Sequence, residues 1–204
     1  MQVSDVALVF EGGGTRNSYT APFVERLLRE DIDVGWVGGV SAGASHVVNY
    51  LSRDIQRSIN SFTDFIAQPA SSGWRPVLRG RGYFDAEYIY EDAGLPDGAM
   101  PLDYETFKNN PTPYRISAVR ADTGETINWG PDDIPDLPTL MKYTRASSTI
   151  PGVMRMPYID GVPFVDGALG SSGGIPIDAA EADGFKKFLI VLTRPKGFRR
   201  TTPK

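Results

Sequence analysis

Cysteine is absent from the 204-residue sequence, and histidine occurs once, at His46. A chain without cysteine forms no disulfides, has no thiolate nucleophile and has no cysteine metal site. Histidine is the usual base of a catalytic serine, so a catalytic serine in this chain would use His46 or a carboxylate.

Basic residues are outnumbered by acidic ones, 21 to 25, and the formal net charge is −4. No basic stripe runs along the sequence, which argues against a nucleic-acid partner. We interpret the one basic cluster, at the C-terminus, as a solvated tail, with contact to anionic lipid head groups as the alternative. Its members are Arg194, Lys196, Arg199, Arg200 and Lys204.

Long apolar runs are also missing. None approaches the ~20 residues that span a bilayer, and the first residues lack the basic region of a signal peptide. Together with the absence of cysteine, these features are compatible with a cytoplasmic protein. A peripheral contact with a membrane is the alternative that the basic cluster leaves open.

The order of apolar segments and glycine loops predicts the fold class. A strand over residues 6–10 and a glycine-rich loop come first, and they are followed by a helix over 21–30, a strand over 34–38 and a helix over 44–50. This alternation is typical of an α/β fold with a parallel sheet. Further on we expect helices over 84–92, 137–145 and 176–182, and strands over 114–119, 125–129, 158–159, 162–165 and 187–192.

Residues 1–204 suit a single domain, with a core over 6–193. An α/β sheet normally covers a buried strand with a following helix, but the sequence ends about twelve residues after the last predicted strand. We therefore expect the sequence to be a piece of a longer protein.

Residues 69–82 are rich in proline, glycine, serine and arginine and contain one aromatic residue, Trp74. This composition predicts a mobile loop that exposes Trp74. An ordinary surface loop is one interpretation, and part of a lid or substrate mouth is the other.

The sequence Gly39-Val40-Ser41-Ala42-Gly43 lies between a predicted strand and a predicted helix. G-x-S-x-G at such a turn is the pattern of a nucleophile elbow. The sharp turn strains the serine backbone, and only glycines let neighbouring chain pass so closely. The Ser41 hydroxyl would then lie at the top of the sheet, beside N–H groups at the start of a helix.

Two residues are candidates for the base that Ser41 requires. His46 lies about 140° around the predicted helix and about 7 Å along its axis from Ser41, so it should not reach the hydroxyl. Asp166 ends an apolar strand before a glycine, as a residue at the mouth of a parallel sheet does. Burial would raise the proton affinity of this carboxylate and let it act as the base, although Asp-Gly is also a common turn.

Glycines 12–14 follow the first predicted strand. Their backbone N–H groups would face a bound anion or an oxyanion, and Arg16 adds a positive charge nearby. A dinucleotide fingerprint is the competing interpretation. It is weak because Asn17 occupies its third glycine position and Trp36 occupies the position of its acidic residue.

The three motifs together resemble the patatin-like phospholipase family, most of all its bacterial branch. That family has a Gly-Gly-Gly-x-Arg/Lys-Gly loop, a G-x-S-x-G elbow and an Asp-Gly-Gly/Ala box in this order. Here they read Gly12-Gly13-Gly14-Thr15-Arg16-Asn17, Gly39-Val40-Ser41-Ala42-Gly43 and Asp166-Gly167-Ala168. Segments 146–152 and 174–177 are also similar, so that the resemblance covers residues 6–193. Asn17 departs from the usual glycine, and asparagine tolerates left-handed backbone better than most residues.

The resemblance implies a three-layer α/β sandwich and an acyl-ester hydrolase that acts on phospholipids or other lipids. It implies a Ser41–Asp166 dyad and an oxyanion hole formed by the loop 12–14 with Arg16. The other residues of the elbow and the acid box are Gly39, Gly43, Gly167 and Ala168. No cofactor and no metal are expected. A general carboxylesterase or thioesterase, and a catalytically silent lipid-binding module, are the alternatives.

Overall fold

The computed structural model describes residues 1–199. Two members of the basic cluster, Arg200 and Lys204, lie outside the described residues. The centre of the fold is a seven-stranded sheet in the order β5-β6-β3-β2-β1-β7, in which β4 also pairs with β3. The strands are β1 (Gln2–Phe10), β2 (Asp33–Val40), β3 (Tyr114–Arg120), β4 (Thr126–Trp129), β5 (Tyr158–Ile159), β6 (Val162–Asp166) and β7 (Phe188–Val191).

Parallel pairing joins the four strands β7, β1, β2 and β3. The strands β4, β5 and β6 pair antiparallel at the β3 side of the sheet. The predicted α/β fold with a mainly parallel central sheet is therefore confirmed.

Helices flank the sheet on both faces. They are α1 (Ala21–Arg29), α2 (Ala42–Leu51), α3 (Ile55–Asn60), α4 (Trp74–Leu78), α5 (Tyr104–Asn109), α6 (Leu137–Ser147) and α7 (Ile177–Ala182). Short 3₁₀ turns cover Gly14–Ser18, Pro131–Asp133 and Gly167–Leu169, and a π-helical turn covers Glu87–Asp92. Within residues 1–199, none of the helices combines the length and the apolar character that crossing a bilayer requires.

Strand β1 shows why the sheet has a core on each face. Leu8 and Phe10 pack into the larger core, which includes residues of α1, α2 and α6. Ala7 and Val9 pack with Trp36 and with residues of α7 in the smaller core. Successive side chains of a strand point to opposite faces, so the part of β1 that is apolar at every position, residues 7–10, is covered on both.

Strand β3 pairs with the carboxyl ends of both β2 and β6. Val40, the last residue of β2, pairs with Ser117, and Asp166, the last residue of β6, pairs with Ala118. Both pairs lie on one edge of β3, because β4 pairs with the same stretch of β3 on the opposite edge. Since β2 is parallel to β3 and β6 is antiparallel, their carboxyl ends meet head to head. The expectation that Asp166 ends a strand of a parallel sheet was therefore wrong for this strand.

The structure differs from the sequence-based elements mainly between α2 and β3. Helices α3 and α5 lie where no helix was predicted, and within 84–92 the helical part is the π-helical turn. Segment 69–82 contains α4 rather than an irregular loop throughout. Trp74 is exposed, as predicted.

Gly43 lies where α2 packs against the end of β1. A Cβ at this position would lie 2.4 Å from the Phe10 carbonyl oxygen, which belongs to the backbone of β1 and cannot rotate away. In an open helix, alanine would be favoured over glycine by about 1 kcal/mol. The close approach reverses this preference, since overpacking against rigid neighbours is destabilising.

We expect Gly43→Ala to lower the free energy of unfolding by about 3 kcal/mol, measured by urea denaturation. Gly124→Ala is the control, because Gly124 has φ +78 but no atom lies within 4 Å of the position that an added Cβ would occupy. The control should cost only the backbone strain of a left-handed alanine, about 1 kcal/mol. A Gly43→Ala protein as stable as the wild type would contradict the packing argument.

Candidate active site

Ser41 occupies the sharp turn between β2 and α2. Its backbone has φ 57 and ψ −130, a conformation that residues with a side chain rarely adopt. Its N–H donates to Ser147 Oγ at 2.8 Å, and Ser147 Oγ donates in turn to the Ser117 carbonyl oxygen at 2.6 Å. Ser147 thus ties the strained residue to β3.

The glycines of the elbow and of the acid box are required by close backbone contacts. A Cβ on Gly39 would lie 2.3 Å from the Gly43 carbonyl oxygen, so the strand before the serine crosses directly over the helix that follows it. A Cβ on Gly167 would lie 2.3 Å from the Ser117 carbonyl oxygen. The Gly167 contact places the acid box against Ser117, the residue of β3 to which Ser147 also links Ser41.

The Ser41 hydroxyl donates a hydrogen bond to Asp166 Oδ2 at 2.6 Å. The other carboxylate oxygen, Oδ1, accepts from the Ala168 N–H at 2.8 Å. Both Ser41 and Asp166 are buried. Burial raises the pKa of the Asp166 carboxyl above 3.8, and the hydrogen bonds from Ser41 and Ala168 oppose this shift. The carboxylate is therefore oriented towards the hydroxyl and is a stronger base than an exposed aspartate.

The glycine loop lies directly against Ser41. A Cβ on Gly12 would lie 3.1 Å from Ser41 Cβ and 3.0 Å from the Val40 carbonyl oxygen. The Gly12 N–H donates to the Gly174 carbonyl oxygen at 2.9 Å, so it is not free to bind an oxyanion. Gly13 precedes the 3₁₀ turn that Gly14 begins, and no acceptor among residues 1–199 pairs with either amide.

Arg16 and Asn17, the last residues of the loop motif, have separate positions. The side chain of Arg16 is exposed, and it makes no ion pair within the described part of the chain. Asn17 is fully buried, and its Nδ2 donates to the Glu11 carbonyl oxygen at 3.1 Å. It is not left-handed; Gly14, with φ 57, has that conformation in this loop. Asn17 therefore holds the loop through its side chain.

Glu11 is a buried residue of this region that sequence reasoning missed. Its carboxylate accepts from the Thr193 N–H at 2.5 Å and from Thr193 Oγ1 at 3.0 Å. The contact joins the end of β1 to the chain after β7 and supports the start of the glycine loop. Ser147, also missed, lies in the segment 146–152 that resembles the family, but nothing in its spacing indicates a contact with Ser41.

His46 is fully buried on α2 and takes no part in the Ser41–Asp166 hydrogen bond. Its Nε2 lies 2.8 Å from Thr20 Oγ1, and its ring packs between Phe10 and Phe62 at centroid distances of 5.2 and 4.5 Å. Burial lowers the pKa of His46 to about 3. As expected, His46 does not pair with the Ser41 hydroxyl, and its imidazole is neutral at physiological pH.

A largely apolar cavity of about 260 Å³ opens beside the dyad. Gly13, Gly14 and Ala42 line its end next to Ser41, although Ser41 and Asp166 themselves are not part of the lining. From there it follows one face of α2 past Ser45 and Val48. Its apolar walls include Phe62, Phe65, Phe84, Ile89, Met100 and Met141. Residues 69–82, for which a lid or substrate mouth was one of two interpretations, are not part of this lining.

Tyr90, on the π-helical turn, is a further residue of the cavity wall that the sequence did not indicate. Burial raises the pKa of its phenol, and the negative charge of Asp166 raises it further, whereas contacts with Ser148 and Ser45 lower it. Tyr90 is therefore a neutral hydrogen-bonding group near the dyad at neutral pH.

We expect Ser147→Ala to leave the Ser41 N–H and the Ser117 carbonyl oxygen buried without a partner. The free energy of unfolding should fall by about 3 kcal/mol, measured by urea denaturation. Ser172→Ala is the matched control, because the Ser172 hydroxyl is buried but makes no hydrogen bond among the described residues. The control should stay within about 0.5 kcal/mol of the wild type. Equal losses in both variants would contradict the role given to Ser147.

Comparisons with known proteins identify the family and agree with the fold. The sequence model of the family described as patatin-like phospholipase matches residues 8–181. The uncharacterized protein YjjU of Escherichia coli (strain K12) is 26% identical over 201 residues, which cover 95% of this chain and 53% of YjjU. The crystal structure of VipD from Legionella pneumophila is similar with a TM-score of 0.51 and 12% identity, covering 80% of this chain and 46% of VipD. The chain thus spans about half the length of each of these two proteins. From the family match over most of its length, the chain belongs to the patatin-like phospholipase family.

Proposed function

We propose that this chain is a phospholipase A-like lipid acyl hydrolase that uses Ser41 and Asp166 as a dyad. The single observation that carries the proposal is the 2.6 Å hydrogen bond from Ser41 Oγ to Asp166 Oδ2 at a strained strand-to-helix turn. Membership of a family of lipid acyl hydrolases supports the same reaction.

In the first step, Ser41 Oγ attacks the carbonyl carbon of the ester, and its proton passes to Asp166. The tetrahedral intermediate then collapses, and Asp166 returns the proton to the leaving alcohol, which leaves an acyl-enzyme on Ser41. In the second step, water attacks the acyl carbon while Asp166 accepts its proton. Asp166 then protonates Ser41 Oγ as the fatty acid is released.

The negative charge on the carbonyl oxygen is stabilised by the amides of Gly13 and Gly14. These groups line the cavity beside Ser41, whereas the Gly12 amide is already paired with Gly174. Preorganised N–H donors of this kind contribute about 10²–10³ in rate each. Arg16, whose side chain is exposed, would add only long-range attraction for anionic substrates.

The acyl chain would lie in the apolar cavity along α2. Aromatic and methionine side chains dominate its wall, and such surfaces bind alkyl chains without leaving polar groups unpaired. The apolar wall favours a lipid over a short, polar ester as the substrate. It does not distinguish a phospholipid from another long-chain ester, so a general carboxylesterase is a separate outcome of the substrate test.

We expect Ser41→Ala and Asp166→Asn to reduce hydrolysis of a short p-nitrophenyl ester at least about a thousandfold. A fluorophosphonate should label the wild type on Ser41 and should not label Ser41→Ala. Ser172→Ala serves again as the control and should retain wild-type rates. A wild type that is neither labelled nor active would favour the silent lipid-binding module.

The substrate class is tested with phosphatidylcholine vesicles and with triacylglycerol and acyl-thioester substrates of matched chain length. Release of fatty acid from phosphatidylcholine by the wild type, but not by Ser41→Ala, is the expected result. If only the triacylglycerol or acyl-thioester substrates were hydrolysed, the proposed activity would be that of a general carboxylesterase or thioesterase and not that of a phospholipase.

We expect kcat/KM to fall at low pH through a single acid limb, because Asp166 must be ionised to accept the proton. Burial raises its pKa, so the apparent pKa of this limb should lie above 3.8. His46, with its pKa lowered to about 3, should add no inflection near 6.5. The measurement is a pH profile with the short ester, and His46→Gln should keep the same limb. A limb near 6.5 that disappears in His46→Gln would contradict this assignment.

A further inference from the structure

The helix α4 exposes an unusual amount of apolar surface. Trp74 is 80% exposed and Leu78 is 84% exposed, and the neighbouring Tyr83 is 53% exposed. Large apolar side chains in adjacent positions are rarely left in water unless they meet a partner. Neither the dyad nor the cavity accounts for this surface.

The segment that carries α4 is held firmly at its base. The Gly73 N–H donates to the Tyr83 carbonyl oxygen at 2.9 Å, and the Asp85 N–H donates to the Ser71 carbonyl oxygen at 2.9 Å. Inside the loop, Pro76 is buried. The exposed side chains therefore belong to an ordered loop that closes on itself, and we call residues 73–83 the α4 loop.

Two arginines surround the exposed apolar side chains. Arg75 and Arg79 are exposed, and neither forms an ion pair within the described residues. The third arginine of the α4 loop, Arg81, is paired with Glu87 at 2.5 Å. The formal net charge of the whole chain is −4, so two free arginines next to exposed tryptophan and leucine are a local exception.

The α4 loop is attached to the wall of the cavity. The Tyr83 N–H donates to the Val153 carbonyl oxygen at 2.8 Å, and Gly82 forms an isolated bridge with Met154. Met154 and Phe84, which follows the loop, both line the cavity beside the dyad. A surface that the α4 loop touches would therefore be close to the cavity.

We propose that the α4 loop docks this protein on a phospholipid surface that carries anionic lipids, with Trp74 and Leu78 inserted at the interface and Arg75 and Arg79 against the head groups. Tryptophan is suited to this boundary because its ring is apolar and its N–H is polar. Arginines that flank an apolar insertion gain from anionic lipids.

This docking proposal rests on the proposed function, because the benefit of docking would be to bring the ester groups of membrane lipids to the cavity. The charge complementarity is that of Arg75 and Arg79, which are exposed and unpaired within the described residues, with the anionic head groups of a lipid surface. Self-association and a protein partner are separate outcomes of the test.

Trp74 makes the docking directly measurable. The other two tryptophans, Trp36 and Trp129, are 0% and 7% exposed, so a change in emission on adding vesicles reports Trp74. In the Ser41→Ala background, which removes the proposed nucleophile, vesicles of phosphatidylcholine with phosphatidylglycerol should shift the emission to the blue. Vesicles of phosphatidylcholine alone should bind more weakly, and high salt should reduce the difference.

Leu78→Asp should weaken binding to the anionic vesicles at least about tenfold, measured by vesicle sedimentation. Arg75→Gln with Arg79→Gln should weaken it about 25-fold, at about fivefold for each charge removed. The matched control for Leu78→Asp is Leu189→Asp, on β7, which lies at the end of the sheet away from β5. The control for the arginine substitutions is Lys108→Gln, on α5. Both controls should bind like the parent.

Hydrolysis of the short soluble ester separates the two proposals. A Leu78→Asp enzyme that loses vesicle binding but keeps short-ester hydrolysis supports docking. Binding by Ser41→Ala without short-ester hydrolysis by the wild type leaves docking intact and ends the proposed function.

Three results would overturn the docking proposal. They are an unchanged Trp74 emission with anionic vesicles, equal losses of binding in Leu78→Asp and Leu189→Asp, and a dimer in solution that Leu78→Asp converts to a monomer. The last result would assign the α4 loop to self-association.

Discussion

The site depends on the way in which two strands share one edge of β3. Strand β2 runs parallel to β3 and stops opposite Ser117, and β6 runs antiparallel and stops opposite Ala118. Their carboxyl ends meet, so the residue that leaves β2 and the residue that ends β6 lie side by side. The hydrogen bond between Ser41 and Asp166 follows from this arrangement. A change in the register of either strand would separate the two side chains and turn alternate residues to the opposite face.

Much of the surrounding structure compensates for the strain at Ser41. Ser41, the central residue of the elbow, has a positive φ, and its N–H donates to a side chain instead of to a backbone carbonyl of the sheet or of α2. Ser147 supplies that partner and is itself anchored on the Ser117 carbonyl oxygen. Gly39 and Gly43 remove the side chains that would collide where α2 crosses β2 and β1. Strain of this kind persists only where neighbouring contacts overdetermine it.

The same chain separates three environments within a short distance. The dyad is buried and has a carboxylate whose proton affinity is raised, the cavity along α2 is apolar, and the α4 loop is exposed and cationic. The proposed lipid hydrolysis would use all three properties, because the ester would have to leave a membrane, bind through its chain and meet a base that is not fully solvated. His46 contributes to packing and to a buried hydrogen bond with Thr20, and its burial keeps it uncharged.

The sequence by itself determined the motifs and their chemistry, because each depends on local geometry. G-x-S-x-G encodes the elbow, the isolated histidine leaves a carboxylate as the candidate base, and alternating strands and helices indicate the parallel part of the sheet. Tertiary structure alone decided what depends on contacts between distant residues. These are the antiparallel direction of β6, the pairing of the Gly12 amide with Gly174, the anchors at Ser147, Asn17 and Glu11, and the folding of 73–83 into the α4 loop. No local pattern encodes these features, since each is fixed by a hydrogen bond or a packing contact that the rest of the fold must first bring together.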